Sequence, residues 1–228
     1  MRISRRGFVG NTAGAIAACL LSEVRRFTAP GSPAEQQGPA VVIDLGTGCA
    51  LRESLDGYRA AIGGQAVCLR TIERDSRRGA GTVIVPGIGT MDRDAQSLLL
   101  DLLRGGAKVV LESGAGFVSR EEFAVQQRTL LDCFGLMLDS PFDLWSGGRA
   151  LPYVHYRWPR ETVVRDFSRV VPVLGPDDEI IGRAGPLPVA SKRPFGNGLL
   201  VFVGSPLGPA LRAGDAEGQA WLRLLRTV

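Results

Sequence analysis

Short apolar runs alternate with amphipathic segments along the chain from residue 40 onwards. Ala40 to Leu45 is a continuous run rich in β-branched residues, as expected of a strand buried on both faces of a parallel sheet. Leu51, Leu55, Tyr58 and Ile62 follow at helical spacing, and the pair Gly63-Gly64 is typical of a helix end. Further strands are predicted over residues 66–71, 82–85 and 108–111.

Two more helices are predicted among these strands. Thr90 is placed to cap the first, whose apolar face consists of Ala95, Leu98, Leu99, Leu102 and Leu103. Ser119 and Glu122 have the spacing of a capping box, and the helix that they open is expected to bury Phe123, Leu130 and Leu131. This alternation with short glycine turns predicts an α/β fold: a flavodoxin-like, doubly wound, mostly parallel sheet with helices on both faces.

The alternation breaks in an insert, residues 140–169, which is rich in aromatic residues, proline and glycine. Short antiparallel strands are predicted over 170–174, 179–181 and 187–190, before an apolar strand over 199–204 and a last helix beginning near Asp215. We therefore expect a short antiparallel excursion near the C-terminal third. The aromatic side chains predict either a flap over the sheet edge or a surface for a sugar or protein partner. The residues concerned are Trp145, Tyr153, Tyr156 and Trp158.

The first thirty residues carry a different pattern. Ser4-Arg5-Arg6-Gly7-Phe8 leads into a weakly apolar stretch that ends at Leu21, and it resembles a twin-arginine export signal with Val9 and Gly10 as departures. The resemblance implies a signal over 1–30, a spacer over 31–39 and one domain over 40–228, exported to the periplasm by the twin-arginine machinery. An ordinary N-terminal helix or a short transmembrane segment is the alternative. Acylation at Cys19, in a lipobox-like Ile-Ala-Ala-Cys, would instead tether the chain to a membrane.

Charge and cysteine content narrow the classes of function. The chain has 27 Lys and Arg against 23 Asp and Glu, and the excess is accounted for by residues 1–30, which hold five arginines and one glutamate. The domain itself is neutral, so no nucleic-acid partner is predicted. Four cysteines without a Cys-x-x-Cys and a single histidine predict neither a zinc site nor another metal or cofactor. A Cys49–Cys68 disulfide and free thiols both remain open.

Polar and glycine residues at the predicted carboxyl ends of the strands form the candidate ligand site. In doubly wound sheets ligands bind there, and glycine lets backbone amides approach them. The residues are Asp44, Gly46, Gly87, Gly89, Glu112, Gly114 and Ser205. Glu112 and Asp44 can form a carboxylate pair for acid/base chemistry; alternatively Glu112 accepts backbone amides or pairs with an arginine such as Arg70. The glycines can equally serve sharp turns alone.

Three segments resemble the class I glutamine amidotransferase-like superfamily, especially its trehalose-utilisation-like and β-galactosidase-associated branches. They are Thr82 to Gly87 (TVIVPG), Leu98 to Gly116 (LLLDLLRGGAKVVLESGAG) and Phe195 to Gly204 (FGNGLLVFVG). In catalytic members the turn after the fourth strand carries a cysteine nucleophile, and the resemblance places Gly114 at that position. A shift by one residue makes Ser113 the nucleophile instead, with Leu111 where a small residue is required.

The resemblance therefore implies an accessory or binding protein of the bacterial cell envelope that has lost the catalytic cysteine, with a carbohydrate or an envelope protein as partner. A hydrolase using Ser113, or Glu112 with Asp44, on a small polar or sugar-like substrate is the first alternative. Its only candidate imidazole base is His155, in the insert. A structural subunit of a larger envelope complex is the second alternative.

Overall fold

The computed structural model describes residues 40–46, 51–62, 67–68, 81–114, 119–145, 153–158, 161–166 and 169–212. The elements in chain order are β1 (Ala40–Asp44), α1 (Arg52–Ile62), β2 (Val67–Cys68), β3 (Thr82–Ile88), α2 (Arg93–Arg104), β4 (Lys108–Ser113), α3 (Arg120–Phe134), β5 (Phe142–Asp143), β6 (Tyr153–Tyr156), β7 (Thr162–Arg165), β8 (Arg169–Val170), β9 (Glu179–Ala184), β10 (Leu187–Phe195), β11 (Gly198–Val203) and α4 (Gly208–Arg212). The predicted export signal, the spacer, Cys49 and the helix near Asp215 lie outside these residues.

Nine of the described strands form one mixed sheet in the order β2-β1-β3-β4-β11-β10-β9-β6-β7. The neighbours from β2 to β11 are parallel, whereas those from β11 to β7 are antiparallel. The predicted α/β class is confirmed. The antiparallel part is larger than the short excursion that we expected, because the insert supplies β6 and β7. These strands extend the sheet instead of forming a flap over its edge.

Alternate residues of the parallel strands pack into two separate cores. Val110 belongs to the core that also contains α1 and α4, while Val109 and Leu111 belong to the core that contains α2 and α3. Helices therefore cover both faces of the parallel part of the sheet, which is why its strands are continuously apolar.

The helix predictions are correct in position and wrong in two details. Asp92, not Thr90, caps α2, since its side chain accepts a hydrogen bond of 2.8 Å from the backbone N–H of Ala95. The five predicted apolar residues of α2 are all buried. The capping box of Ser119 and Glu122 is present on α3, but Leu131 is exposed and Gln126 is buried in its place. Among the described helices, none has the length and apolar character of a membrane span.

The sheet curls so that the insert comes back over β4. The ring centroid of Trp158, just after β6, lies 5.8 Å from the ammonium nitrogen of Lys108 on β4, although three strands separate the two in the sheet. The ammonium of Lys192 on β10 lies at the same distance from this ring. Such cation–π contacts stabilise the position of Trp158 beside β4 and β10.

Candidate functional site

Glu112 is fully buried at the carboxyl end of β4, on the face of the sheet that packs against α1. Its Oε2 accepts a hydrogen bond of 3.1 Å from the backbone N–H of Leu207, which precedes α4. The hydroxyls of Ser54 and Tyr58, one helical turn apart on α1, face the same carboxylate. The strand end thus joins α1 and α4 through one acid.

Burial raises the pKa of Glu112 from 4.5 to about 7. The nearby hydroxyls of Ser54 and Tyr58, and the backbone N–H groups of Leu207 and Gly87, favour the charged form and offset part of that rise. Glu112 Oε1, Ser54 Oγ and Tyr58 OH are nevertheless among the buried side-chain atoms of the described residues that have no hydrogen bond of good geometry. Burial is thus the main cause of the raised pKa of Glu112, and no cation is among the groups that shift it.

A second acid lies in the same buried cluster. Ser205, after β11, donates a hydrogen bond from its hydroxyl to Asp166, after β7. Tyr156 of β6 lies between the two acids: burial, then Asp166, and less strongly Glu112, raise the pKa of its phenol far above the usual value. We call these six residues the buried polar cluster: Ser54, Tyr58, Glu112, Tyr156, Asp166 and Ser205.

The turn after β4 has no room for a side chain at the position that the family resemblance gives to the nucleophile. A Cβ built on Gly114 would overlap the backbone carbonyl of Gly87. That carbonyl is held in place because it accepts a hydrogen bond of 2.6 Å from the N–H of Leu51. Gly87 itself has φ +55° within a bulge of β3, a conformation that favours glycine.

Ser113 and His155 do not meet. Ser113 is buried on the face of β4 opposite Glu112, towards α2 and α3. His155 is exposed on β6, with its side chain pointing away from the core in which Ser113 is enclosed. The hypothesis of a Ser113–His155 nucleophile and base is therefore wrong.

The predicted pairing of Asp44 with Glu112 is also absent. Asp44 instead forms an ion pair of 3.1 Å with Arg59 of α1 and accepts the N–H of Gly46 at 2.8 Å. The alternative in which Glu112 accepts a backbone amide is confirmed, whereas Arg70 lies outside the described residues. Gly87, Gly114 and Ser205 do gather around Glu112, and together with Gly89 they are buried instead of lining an open cleft.

The four aromatic residues predicted to bind a partner separate into two groups. Trp145 and Tyr153 are 46% and 41% exposed. Tyr156 is fully buried, so its prediction as a surface residue is wrong, and Trp158 is partly buried between two lysines. Only the first pair is accessible to a sugar or a protein.

Sequence reasoning missed Ser54, Tyr58 and Asp166 as members of the cluster. The sequence pattern places Tyr58 on the apolar face of α1, and Ser54 lies one turn earlier on the same face. Because a buried serine needs a polar neighbour, Ser54 was the one signal in the sequence that this face holds polar groups. Asp166 carried no such signal. Within the described ranges, no three His, Cys, Asp or Glu side chains come together to hold a metal ion.

Comparison with known proteins identifies the fold. No family model matches the sequence, and no curated protein matches it either. Among solved structures, an exo-β-1,4-mannosidase from Opitutaceae bacterium strain TAV5 has a TM-score of 0.57 at 12% identity, over 82% of this chain and 36% of that one. A β-galactosidase from Bacillus circulans sp. alkalophilus gives 0.52 at 15%, over 82% and 31%.

A ThuA-like protein from Bacteroides uniformis ATCC 8492 matches over nearly its whole length, with a TM-score of 0.54 at 9% identity, covering 86% of this chain and 93% of that one. This chain spans about a third of the length of the glycosidases that it matches. These likenesses agree with the amidotransferase-like resemblance at the level of the fold.

The raised pKa of Glu112 makes stability depend on pH. A folded-state pKa of about 7 against 4.5 means that the contribution of Glu112 is fully present below pH 4.5 and is lost as the pH rises through about 7. Relative to wild type, Glu112→Gln is expected to gain about 3 kcal/mol of unfolding free energy between pH 4.5 and 8. Urea unfolding at a series of pH values measures this difference.

Glu122→Gln is the matched control, because the capping hydrogen bonds with Ser119 lower the pKa of Glu122. Its difference from wild type must change with pH in the opposite direction. Parallel pH profiles for wild type and Glu112→Gln would show that Glu112 is already ionised in the folded protein.

Proposed function

We propose that this protein is an exported, non-catalytic member of the amidotransferase-like fold that acts by binding in the bacterial cell envelope, in a carbohydrate-related system. Its sheet would be of the doubly wound, flavodoxin-like type. Three features support this function: a turn after β4 without room for a nucleophile, exposed aromatic side chains, and an N-terminal sequence that resembles an export signal.

The geometry after β4 is the observation that carries the non-catalytic assignment. The carbonyl of Gly87 occupies the space that a side chain at Gly114 would need, while Ser113 is buried on the other face of the strand. A nucleophile must be exposed and within reach of a base. Neither neighbouring position meets that requirement among the described residues.

A carbohydrate-related role is supported by the solved structures in which this fold occurs. It occurs as part of larger glycosidases and as the whole of a ThuA-like protein. Trp145 and Tyr153 offer exposed aromatic faces, the groups that stack on sugar rings. Binding through these residues needs no crevice at the carboxyl ends of the strands.

Hydrolysis through Glu112 is the second candidate, favoured by one observation. A carboxyl with a pKa of about 7 is suited to acid/base chemistry at neutral pH. It is disfavoured by enclosure, since Glu112 is fully buried and its predicted partner Asp44 is paired with Arg59. A structural role in an envelope complex needs the same exposed aromatics and differs only in the partner.

Nitrophenyl glycosides and esters separate these candidates. The wild-type protein is expected to show no turnover above buffer, because no described side chain at the end of β4 is both nucleophilic and exposed. Ser113→Ala and Glu112→Gln should then give the same rate as wild type. Turnover that falls at least tenfold in either variant would establish the hydrolase.

Exposed aromatics predict how a sugar would bind. In binding assays with immobilised oligosaccharides, Trp145→Ala combined with Tyr153→Ala is expected to lower affinity about thirtyfold, since each ring contributes around 1 kcal/mol of stacking. Val125→Ala with Leu131→Ala, two equally exposed apolar residues on α3, is the control and should bind as wild type. Equal losses in both double variants would rule out recognition through the aromatic pair.

Export is tested at Arg5 and Arg6. Replacing both by lysine preserves charge and removes the paired guanidinium groups that define the signal, so the protein is expected to remain in the cytoplasm when the cells are fractionated. The control replaces Arg25 and Arg26 by lysine and should leave export intact. Export of the Arg5→Lys, Arg6→Lys variant at the wild-type level would refute the twin-arginine assignment.

A further inference from the structure

Three basic side chains share the outer face of the antiparallel part of the sheet. On β6, burial alternates, so that Val154 and Tyr156 point into the core while Tyr153 and His155 point outwards. His155 lies directly opposite Arg183 of β9 in the antiparallel register. Arg157, two residues beyond His155, continues the same outward face.

This face borders a cavity of about 320 Å³, close to the lower end of the range for small-molecule sites. Its lining includes the three basic residues together with Glu161, Ile180 and Gly185. Directly opposed residues of antiparallel strands have Cβ atoms about 5 Å apart and diagonal neighbours about 7–8 Å apart, which brings the three basic groups within reach of one small ligand.

The positive charge of this cavity is not neutralised by the described residues. Neither Arg157 nor Arg183 forms an ion pair with a described carboxylate, and the guanidinium of Arg183 instead donates to the carbonyl oxygen of Pro186 at 3.0 Å. Glu161 supplies one negative charge at the lining, against the two positive charges of Arg157 and Arg183. The two guanidinium groups on neighbouring strands repel each other, and an anion between them offsets that repulsion.

We propose that this cavity binds a small anion, a molecule bearing a carboxylate or phosphate group, between Arg157, Arg183 and His155. Guanidinium groups match both anions geometrically and form charge-assisted hydrogen bonds with them. The site goes beyond the proposed function, because it requires neither export nor the loss of catalysis. It also gives His155 a role in binding, away from the buried polar cluster.

His155 is the only histidine of the chain, so its imidazole gives one unambiguous NMR signal inside the cavity. The full chain is titrated with glucuronate, with inorganic phosphate, with neutral glucose and with sodium chloride at matched ionic strength. A saturable shift of the imidazole signal is expected with glucuronate, phosphate or both, with a Kd of about 1 mM. Which of the two acids binds identifies the carboxylate or the phosphate as the preferred group.

Arg157→Gln and Arg183→Gln are each expected to weaken anion binding about tenfold, since each removes a charge-assisted contact. Arg93→Gln, on the exposed start of α2, removes the same charge elsewhere and should bind as wild type. Glu161→Gln removes the competing carboxylate and should bind at least as tightly. Unchanged backbone spectra of the variants show that the fold is intact.

Three results would overturn the anion site. They are a shift with glucose or sodium chloride as large as with the two acids, no saturable shift with either acid at ten times the expected Kd, and equal affinities of wild type and the Arg157→Gln, Arg183→Gln double variant. None of these results bears on turnover or on export, so the site and the proposed function fail independently.

Discussion

The burial of a carboxyl at the end of β4 is the constraint around which the described domain is arranged. A buried acid must find donors or remain neutral, and Glu112 accepts the N–H of Leu207 while the hydroxyls of Ser54 and Tyr58 face it from α1. The serine and tyrosine of α1, the turn before α4 and the bulge of β3 all contact this one group. Tyr156 brings the insert into the same buried polar cluster, so elements that are distant in sequence come together around one buried carboxyl.

Close backbone approach makes this arrangement possible and also explains why no side chain fits at Gly114. A Cβ on Gly57 of α1 would overlap the backbone of Gly208, which allows α1 and α4 to pack tightly over Glu112. Gly87 and Gly114 approach in the same way at the strand ends. Glycines that would admit a ligand in an open crevice instead bring protein backbone against protein backbone.

The parallel half of the fold could be predicted from the sequence because the local spacing of apolar residues marks its strands and helices. The apolar face of α2 and the capping box of α3 required no tertiary information. The structure of the insert could not be predicted, because four-residue strands such as β6 gain their stability from pairing across the sheet. In addition, an aromatic residue gives the same sequence pattern in a flap as in a core.

The candidate site could likewise be predicted only in part. Glu112, Gly87, Gly114 and Ser205 were predicted to gather because parallel strands end at a common edge. The same rule predicted that Asp44 would join the site. It takes no account of nearby cations, and Asp44 instead pairs with Arg59. Asp166 and Tyr156 reach the cluster only because the sheet curls, which no pattern of residues 140–169 encodes.

The flat packing of Tyr156 over Gly182 has a consequence for how this fold can change. A side chain on Gly182 would collide with the tyrosine ring and with the methyl group of Ala190 beside it, so glycine is the residue that fits beneath the ring. Replacing the ring by a small side chain would leave an empty space in the core beside Asp166 and Ser205. A cavity lined by polar groups takes up water or a small ligand, which is one route by which a buried cluster gains a binding function.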